Sequence, residues 1–360
     1  MQQQARTRAA VLDAAVEEFA EFGYADAKID RIAARADLTR GAVYSNFAGK
    51  RALYLAVLLG YAPPHAALPP AELPEIIPVA TAAEGFARAW LERLPLAGDT
   101  AAGGRLRSRS VTGVFDDEPG RAALAEITRL EALLLALGLE SCPPMAVRRV
   151  RLAELILTLL HGADELAGTA PGFGDLFDIT RACGHLARIH LADEWDPPHL
   201  PFIRPAERCD DPWDPADGVV DDGLLVILGT ARLSATEEVV RAALPTDHIT
   251  VAVVAGDPAE TGALVRLRVT TMAACLRRAF PPGVARPLHI DLDDGPALAA
   301  AIAASAGSSA ATGSSAGPAA DTSPGPATSD GSFPPPAASP ATAPTSPSTT
   351  AAPTAIPPPG

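Results

Sequence analysis

Thr39, Arg40, Gly41, Ala42, Tyr44, Ser45, Asn46 and Lys50 put a guanidinium, an ammonium, three hydroxyls and a carboxamide within a dozen residues. These are groups that hydrogen-bond phosphate oxygens and base edges. A guanidinium can meet the O6 and N7 atoms of guanine bidentately, which makes Arg40 the candidate base reader. The small residues Gly41 and Ala42 leave room for close approach to a base edge. Tyr44 and Ser45 share the exposed half of the segment, while Val43 and Phe47 point to a core. No Ser/His/Asp order or nucleophile elbow accompanies them, so the chemistry is recognition, with no catalytic residue and no enzymatic activity expected.

Such a segment has to be held by neighbouring helices. Residues 6–22 carry Val11, Leu12, Ala15, Val16, Phe19 and Phe22 at the spacing of an amphipathic helix, which Gly23 ends. A short helix over about 28–36 offers Ile29, Ile32 and Ala33, Asp37-Leu38 makes a turn, and Thr39 caps a third helix to about Phe47. A fourth begins near Gly49-Lys50, carries Leu53, Leu55, Val57 and Leu58, and stops at Pro63-Pro64. Short helix, tight turn and reading helix make a helix-turn-helix, which places one helix in the DNA major groove.

Charge agrees once divided by region. The net charge is −14, yet residues 1–60 carry eight Lys/Arg against seven Asp/Glu, whereas residues 61–304 sum to −13 and Asp321 and Asp330 add −2. An acidic body repels a polyanion, so duplex DNA has to meet the N-terminal segment.

The run IDRIAARADLTRGAVYSNFAGKRALYLAVL resembles the signature of the TetR/AcrR family of transcriptional regulators. Ile32, Ala33, Ala36, Tyr44, Phe47, Lys50 and Leu53 fall in its register, over about residues 8–58. The resemblance implies phosphate contacts from Thr39, Tyr44, Asn46 and Lys50, with Arg40, Ala42 and Ser45 nearest the bases. It further implies a homodimer on a palindromic operator, most often as a repressor, and an all-helical effector-binding and dimerisation domain after the motif. The chain departs from the pattern in two places. Ala27 and Lys28 stand where a hydroxyl residue is usual, leaving Asp26 as a cap and Lys28 as a charged replacement for a phosphate contact. Asp37 replaces the turn glycine and tolerates a left-handed backbone.

The expected class is mainly α, in five parts: the DNA-binding domain at 1–60, the helical domain at 61–194, a linker at 195–221, a small α/β (βαβαβα) module at 222–304, and a disordered Ala/Pro/Ser/Thr-rich tail at 305–360. Within the helical domain, Thr81-Ala-Ala-Glu84 has the form of a capping box, and helices are read at about 104–115, 120–138, Met145–Ala167 and Asp175–Leu191. The third of these is apolar on more than one side. By the resemblance, it and the last helix form the dimer bundle. Phe86, Trp90 and Phe115 are the candidate lining of a pocket for an unidentified small-molecule effector.

In the module, Leu224–Leu228, Ile249–Val254 and Leu288–Leu292 are apolar runs alternating with helical stretches at about 235–244 and 259–280, which implies a parallel sheet. Ser234-Ala-Thr-Glu237 and Asp257-Pro-Ala-Glu260 are further capping boxes. So thin a sheet either docks on the body or pairs with a dimer mate, as an accessory sensing or oligomerisation unit. The alternative is a nucleotide-binding or catalytic domain, for which the turn after Gly229 is the only phosphate-loop candidate. Another is a scaffold whose tail recruits partners.

Cys142, Cys183, Cys209 and Cys275 lie far apart, and His185 and His190 are five residues apart, so neither a metal nor another cofactor is expected. No secretory signal pattern opens the chain and no apolar run is long enough to span a bilayer, which points to a cytoplasmic protein.

Overall fold

A computed structural model of the 360-residue chain describes residues 2–61, 76–94, 111–144, 147–170, 172–195, 224–243, 249–280 and 288–293. The stop at Pro63-Pro64, residues 104–110, most of the linker, Cys209, any helix after residue 293 and the tail lie outside these residues.

The described residues are mostly helical. Four helices open it: α1 (Gln2–Asp26), α2 (Ile29–Arg35), α3 (Arg40–Tyr44) and α4 (Lys50–Tyr61). Val11, Ala15 and Phe19 of α1 are buried against Ile32 of α2, Val43 of α3 and Leu53 and Leu55 of α4, as the spacing predicts. Gly23 breaks α1 with φ 74°, so the last residues of that element form a separate turn. Asp37 takes φ 55°, the left-handed conformation expected of the residue replacing the turn glycine.

The body comprises α5 (Val79–Leu91), α6 (Glu118–Glu140), α7 (Val150–Thr169) and α8 (Leu176–Leu186). Three sequence expectations are corrected here. Helix α5 starts before the Thr81 box, with Pro78 in the cap position, so Thr81 lies inside the helix. Helix α7 starts at Val150 rather than Met145, because distant carboxylates take the N–H groups at its start: Glu140 accepts from Arg149 at 3.1 Å and Asp193 from Arg151 at 2.9 Å. Helix α8 opens with Asp175 capping Phe177 at 2.8 Å but ends at Leu186, leaving Ile189 exposed beyond it.

The strands β1 (Leu224–Gly229), β2 (Ile249–Val254) and β3 (Leu288–Asp293) pair in parallel in the order β1-β2-β3. Leu224 stands beside Ile249, and Ile249 beside Leu288. The central strand is buried almost throughout, which is why it reads as an unbroken apolar run. Between the strands lie α9 (Thr236–Ala242) and α10 (Ala263–Ala279). The Ser234 box fails: the Ser234 N–H donates to Glu126 of α6 at 2.9 Å, the chain passes through a 3-10 turn, and the helix begins only at Thr236. The Asp257 box half succeeds. Asp257 accepts from the N–H groups of Ala259 and Glu260 at 3.0 and 3.1 Å, but the Glu260 carboxylate points elsewhere.

These elements are stitched to the helical body. Arg241 of α9 pairs with Glu140 of α6 at 2.5 Å, and Glu237 of α9 with Arg148 at 2.8 Å. Helix α10 lies against α4, α5 and α6. At its end Phe280 covers Gly138 of α6 so closely that a Cβ there would sit 2.8 Å from the ring. Cys183 of α8 is fully buried, which pushes its thiol up to about 12. At pH 8 only about one such thiol in ten thousand is ionised. Iodoacetamide is therefore expected to leave Cys183 unmodified in the folded protein and to label it on denaturation. Labelling without unfolding, read by mass spectrometry, would contradict this packing.

Candidate nucleic-acid interface

Helix α3 is short, and its N-terminus is set by Thr39, whose Oγ1 accepts from the Ala42 N–H at 3.2 Å. Val43, at 1% exposure, anchors the helix in the core. Thr39, Arg40, Gly41, Tyr44 and Ser45 are thereby left exposed on one side, with Ala42, Asn46 and Lys50 half-buried beside them and Lys28 exposed at the start of α2. The sequence-expected recognition residues thus gather on one small surface.

Before DNA arrives, most of these groups have internal partners. Arg40 lies 3.4 Å from Asp30 and 5.6 Å from the centre of the Tyr44 ring, and Tyr44 and Asp30 raise its pKa further. An exposed pair of this kind is weak, so the guanidinium can be drawn from it at little cost. Ser45 Oγ and Asn46 Nδ2 both donate to the Ala42 carbonyl, at 2.9 and 2.8 Å. Lys50 Nζ donates to the carbonyls of Ala25 and Ala27, each at 3.0 Å, and sits 4.8 Å above the Tyr24 ring. Burial lowers its pKa, against the opposing pull of Asp26 and Glu18. Lys50 therefore ties α4 to the end of α1 while standing at the edge of the reading surface.

The sequence reading missed Glu18. Asp26 does not cap α2; the extended residue before that helix is Lys28, and its N–H donates to Glu18 Oε1 of α1 at 3.0 Å. The same oxygen accepts from Arg31 Nε at 2.6 Å, and Oε2 lies 3.3 Å from Arg35 Nε. The carboxylate is fully buried. One acid on α1 thus holds the N–H of the residue in the cap position and fixes α2 through two arginines. The signal was present: Glu18 falls at i+3 from Ala15 and i+7 from Val11, an acid on the buried face of an amphipathic helix. Arg8 also has a structural role, donating to the Asn46 carbonyl at 3.2 Å and lying 4.4 Å from the centre of the Phe47 ring.

Residues 11–57 match the family described as bacterial regulatory proteins, tetR family. The N-terminal domain belongs to the TetR family. Over 52 residues the chain is 50% identical to the HTH-type transcriptional regulator SrpR of Pseudomonas putida, which is 14% of this chain and 24% of that protein. It is also 50% identical over 52 residues to TtgW, an uncharacterized HTH-type transcriptional regulator of Pseudomonas putida, covering 14% of this chain and 39% of that one. The match therefore spans well under half the length of these curated relatives. Among solved structures, NalD of Pseudomonas aeruginosa, the secondary repressor of the MexAB-OprM multidrug efflux pump, aligns at a TM-score of 0.34 and 18% identity over 52% of this chain and 96% of its own.

Behind the TetR-type domain, the three candidate pocket residues are all buried but not all together. Phe86 and Trp90 are neighbours on α5, with ring centroids 6.0 Å apart. Phe115 sits instead beneath the Arg51 guanidinium of α4, 4.9 Å from it. Around Trp90 the interior is polar. The His161 ring of α7 meets it edge-on at 5.1 Å, and beyond His161 lie Glu131 of α6 and Arg268 of α10. No helix among the described residues is long and apolar enough to cross a membrane.

Proposed function

We propose that the chain is a cytoplasmic, homodimeric transcription regulator that binds a palindromic DNA operator through α3 and responds to a small-molecule effector, acting as a repressor. The observation that carries the reading is the exposed face Thr39–Ser45, held in the TetR register on a segment, residues 1–60, whose eight Lys/Arg outnumber its seven Asp/Glu while residues 61–304 sum to −13. Lys28, Asn46 and Lys50 complete the phosphate-facing rim.

Dimerisation is supported by Leu155, Leu159 and Leu166 of α7. These residues fall on one stripe of the helix, with Leu159 partly buried against the core and Leu155 and Leu166 about 40% exposed. The effector site is assigned to the region of Phe86 and Trp90. Displacement of the two reading heads from groove spacing is then a population shift driven by the ligand. No catalytic role is assigned. At the turn after Gly229, the Ser234 N–H that a phosphate would need is already given to Glu126, which argues against the nucleotide-binding alternative.

Fluorescence anisotropy with DNA flanking the gene for this protein tests the reading. Arg40→Ala is expected to lower discrimination between operator and scrambled DNA by about ten- to a hundredfold. Lys50→Ala is expected to weaken binding to both DNAs, flatten the salt dependence and lower the melting temperature, because Lys50 also ties α4 to α1. Wild-type behaviour in both variants would show that the reading surface lies elsewhere.

A further inference from the structure

We propose that α10, contributed by the C-terminal strand-bearing segment, is an arm that couples the interior of the helical body to the DNA-binding domain. The proposal rests on the regulator reading and extends it by naming the element that would carry the signal.

One end of the arm grips α4. Asp257 caps the turn before α10 and so orients Glu260, whose Oε2 accepts from Arg51 Nη1 at 3.2 Å. Arg51 Nη2 donates to Asp117 Oδ1, in the cap position of α6, at 3.0 Å. Arg51 is the second residue of α4, the helix that directly follows the reading helix. The DNA-binding domain is thus fastened to the body and to the C-terminal segment through one guanidinium.

The middle of the arm lies in the interior. Eight residues past Glu260, about 12 Å along a helix, Arg268 Nη2 donates to Glu131 Oε2 at 2.6 Å. It also lies 2.8 Å from His161 Nε2, and Glu131 is fully buried. Among the described residues, Trp90 Nε1, Glu131 Oε1 and Arg268 Nε have no hydrogen-bond partner. Buried polar atoms left unpaired are costly. A guest offering both a donor and an acceptor would relieve them and change the balance that holds Arg268. Because the helical turn Pro258–Gly262, which carries Glu260, runs directly into α10, a shift at Arg268 moves Glu260 and loads or releases Arg51. Two distinct sites and a shared rigid element are what coupling of this kind requires.

Hydrogen exchange on the full-length protein tests the arm without any ligand. Glu260→Gln, at a partly exposed position, is expected to speed exchange across residues 46–61 by about threefold or more, as a released local contact does. Arg268→Met is expected to speed exchange in 263–279 and also in 46–61, and to add nothing at 46–61 when Glu260→Gln is already present. Unchanged exchange at 46–61 in Glu260→Gln overturns the proposal, as do independent, additive effects of the two substitutions there. If Arg268→Met does not fold, the Glu260→Gln result alone decides. Failure of the wild-type protein to bind DNA would instead sink the regulator reading, while the exchange comparison would still decide whether the arm couples the two regions.

Discussion

Glu18→Ala is expected to destabilise the DNA-binding domain by about 2–4 kcal/mol, a large share of the ~5–15 kcal/mol that holds a typical domain together. Roughly 1 kcal/mol of this is the lost hydrogen bond to the Lys28 N–H, the usual net worth of one such bond. The remainder comes from separating Arg31 and Arg35 from a fully buried carboxylate and from the space left behind. The total stays below that of a wholly buried ion pair because both arginines are about one-third exposed and regain water. Glu18→Gln keeps an acceptor for the Lys28 N–H but loses the charge, so it is expected to fall between alanine and wild type. Urea melts and exchange protection over residues 11–57 give the measurement. A Glu18→Ala protein with wild-type protection there would mean that α2 is held by something else. DNA affinity should fall with stability, because α2 braces the helix that reads the groove.

The contrast between Glu18 and Thr39 shows what the sequence could yield. Thr39 caps the helix that starts at the next residue by accepting from an N–H three residues ahead, a local relation visible in any window. Glu18 accepts from the N–H that precedes a helix ten residues on, across a turn and against two arginines, so only its place on an apolar face hinted at it. The two failed capping boxes make the same point from the other side. Thr81-Glu84 and Ser234-Glu237 have suitable residue types. Pro78 has nevertheless already opened α5, and Glu126 captures the Ser234 N–H from another helix. Strand positions were easier, because β2 is buried along nearly its whole length and leaves an unbroken apolar run. The polar interior was not legible at all. Glu131, His161 and Arg268 are separated by up to 137 positions, and nothing local distinguishes them from solvated side chains. Phe115 shows a related limit. It is as buried as Trp90, but burial alone does not say whether a ring faces a cavity or, as here, supports the guanidinium that fastens α4.

The second large effect is expected from Leu155→Asp combined with Leu166→Asp. Both leucines stand on the outer stripe of α7, where about 40% of each is exposed and neither belongs to the buried core, so the helical body loses little packing when they change. In a homodimer built on this stripe, each leucine meets its symmetry mate's surface, and each added carboxylate is both buried and set near a like charge. The double variant is therefore expected to elute as a monomer by size exclusion with light scattering, with an unchanged melting profile at low concentration. Loss of the dimer removes one of two half-site contacts. If the specific surplus of about 4–10 kcal/mol is shared equally, operator binding weakens by about 2–5 kcal/mol, some thirtyfold at the least. The rings of Phe173 and Phe177, 72% and 61% exposed around the start of α8, provide an independent check. Phe177→Asp should weaken the dimer if α8 joins the interface and leave it intact if α7 alone forms it. A double leucine variant that remains dimeric and binds operator like wild type would place the twofold axis on another face of the body.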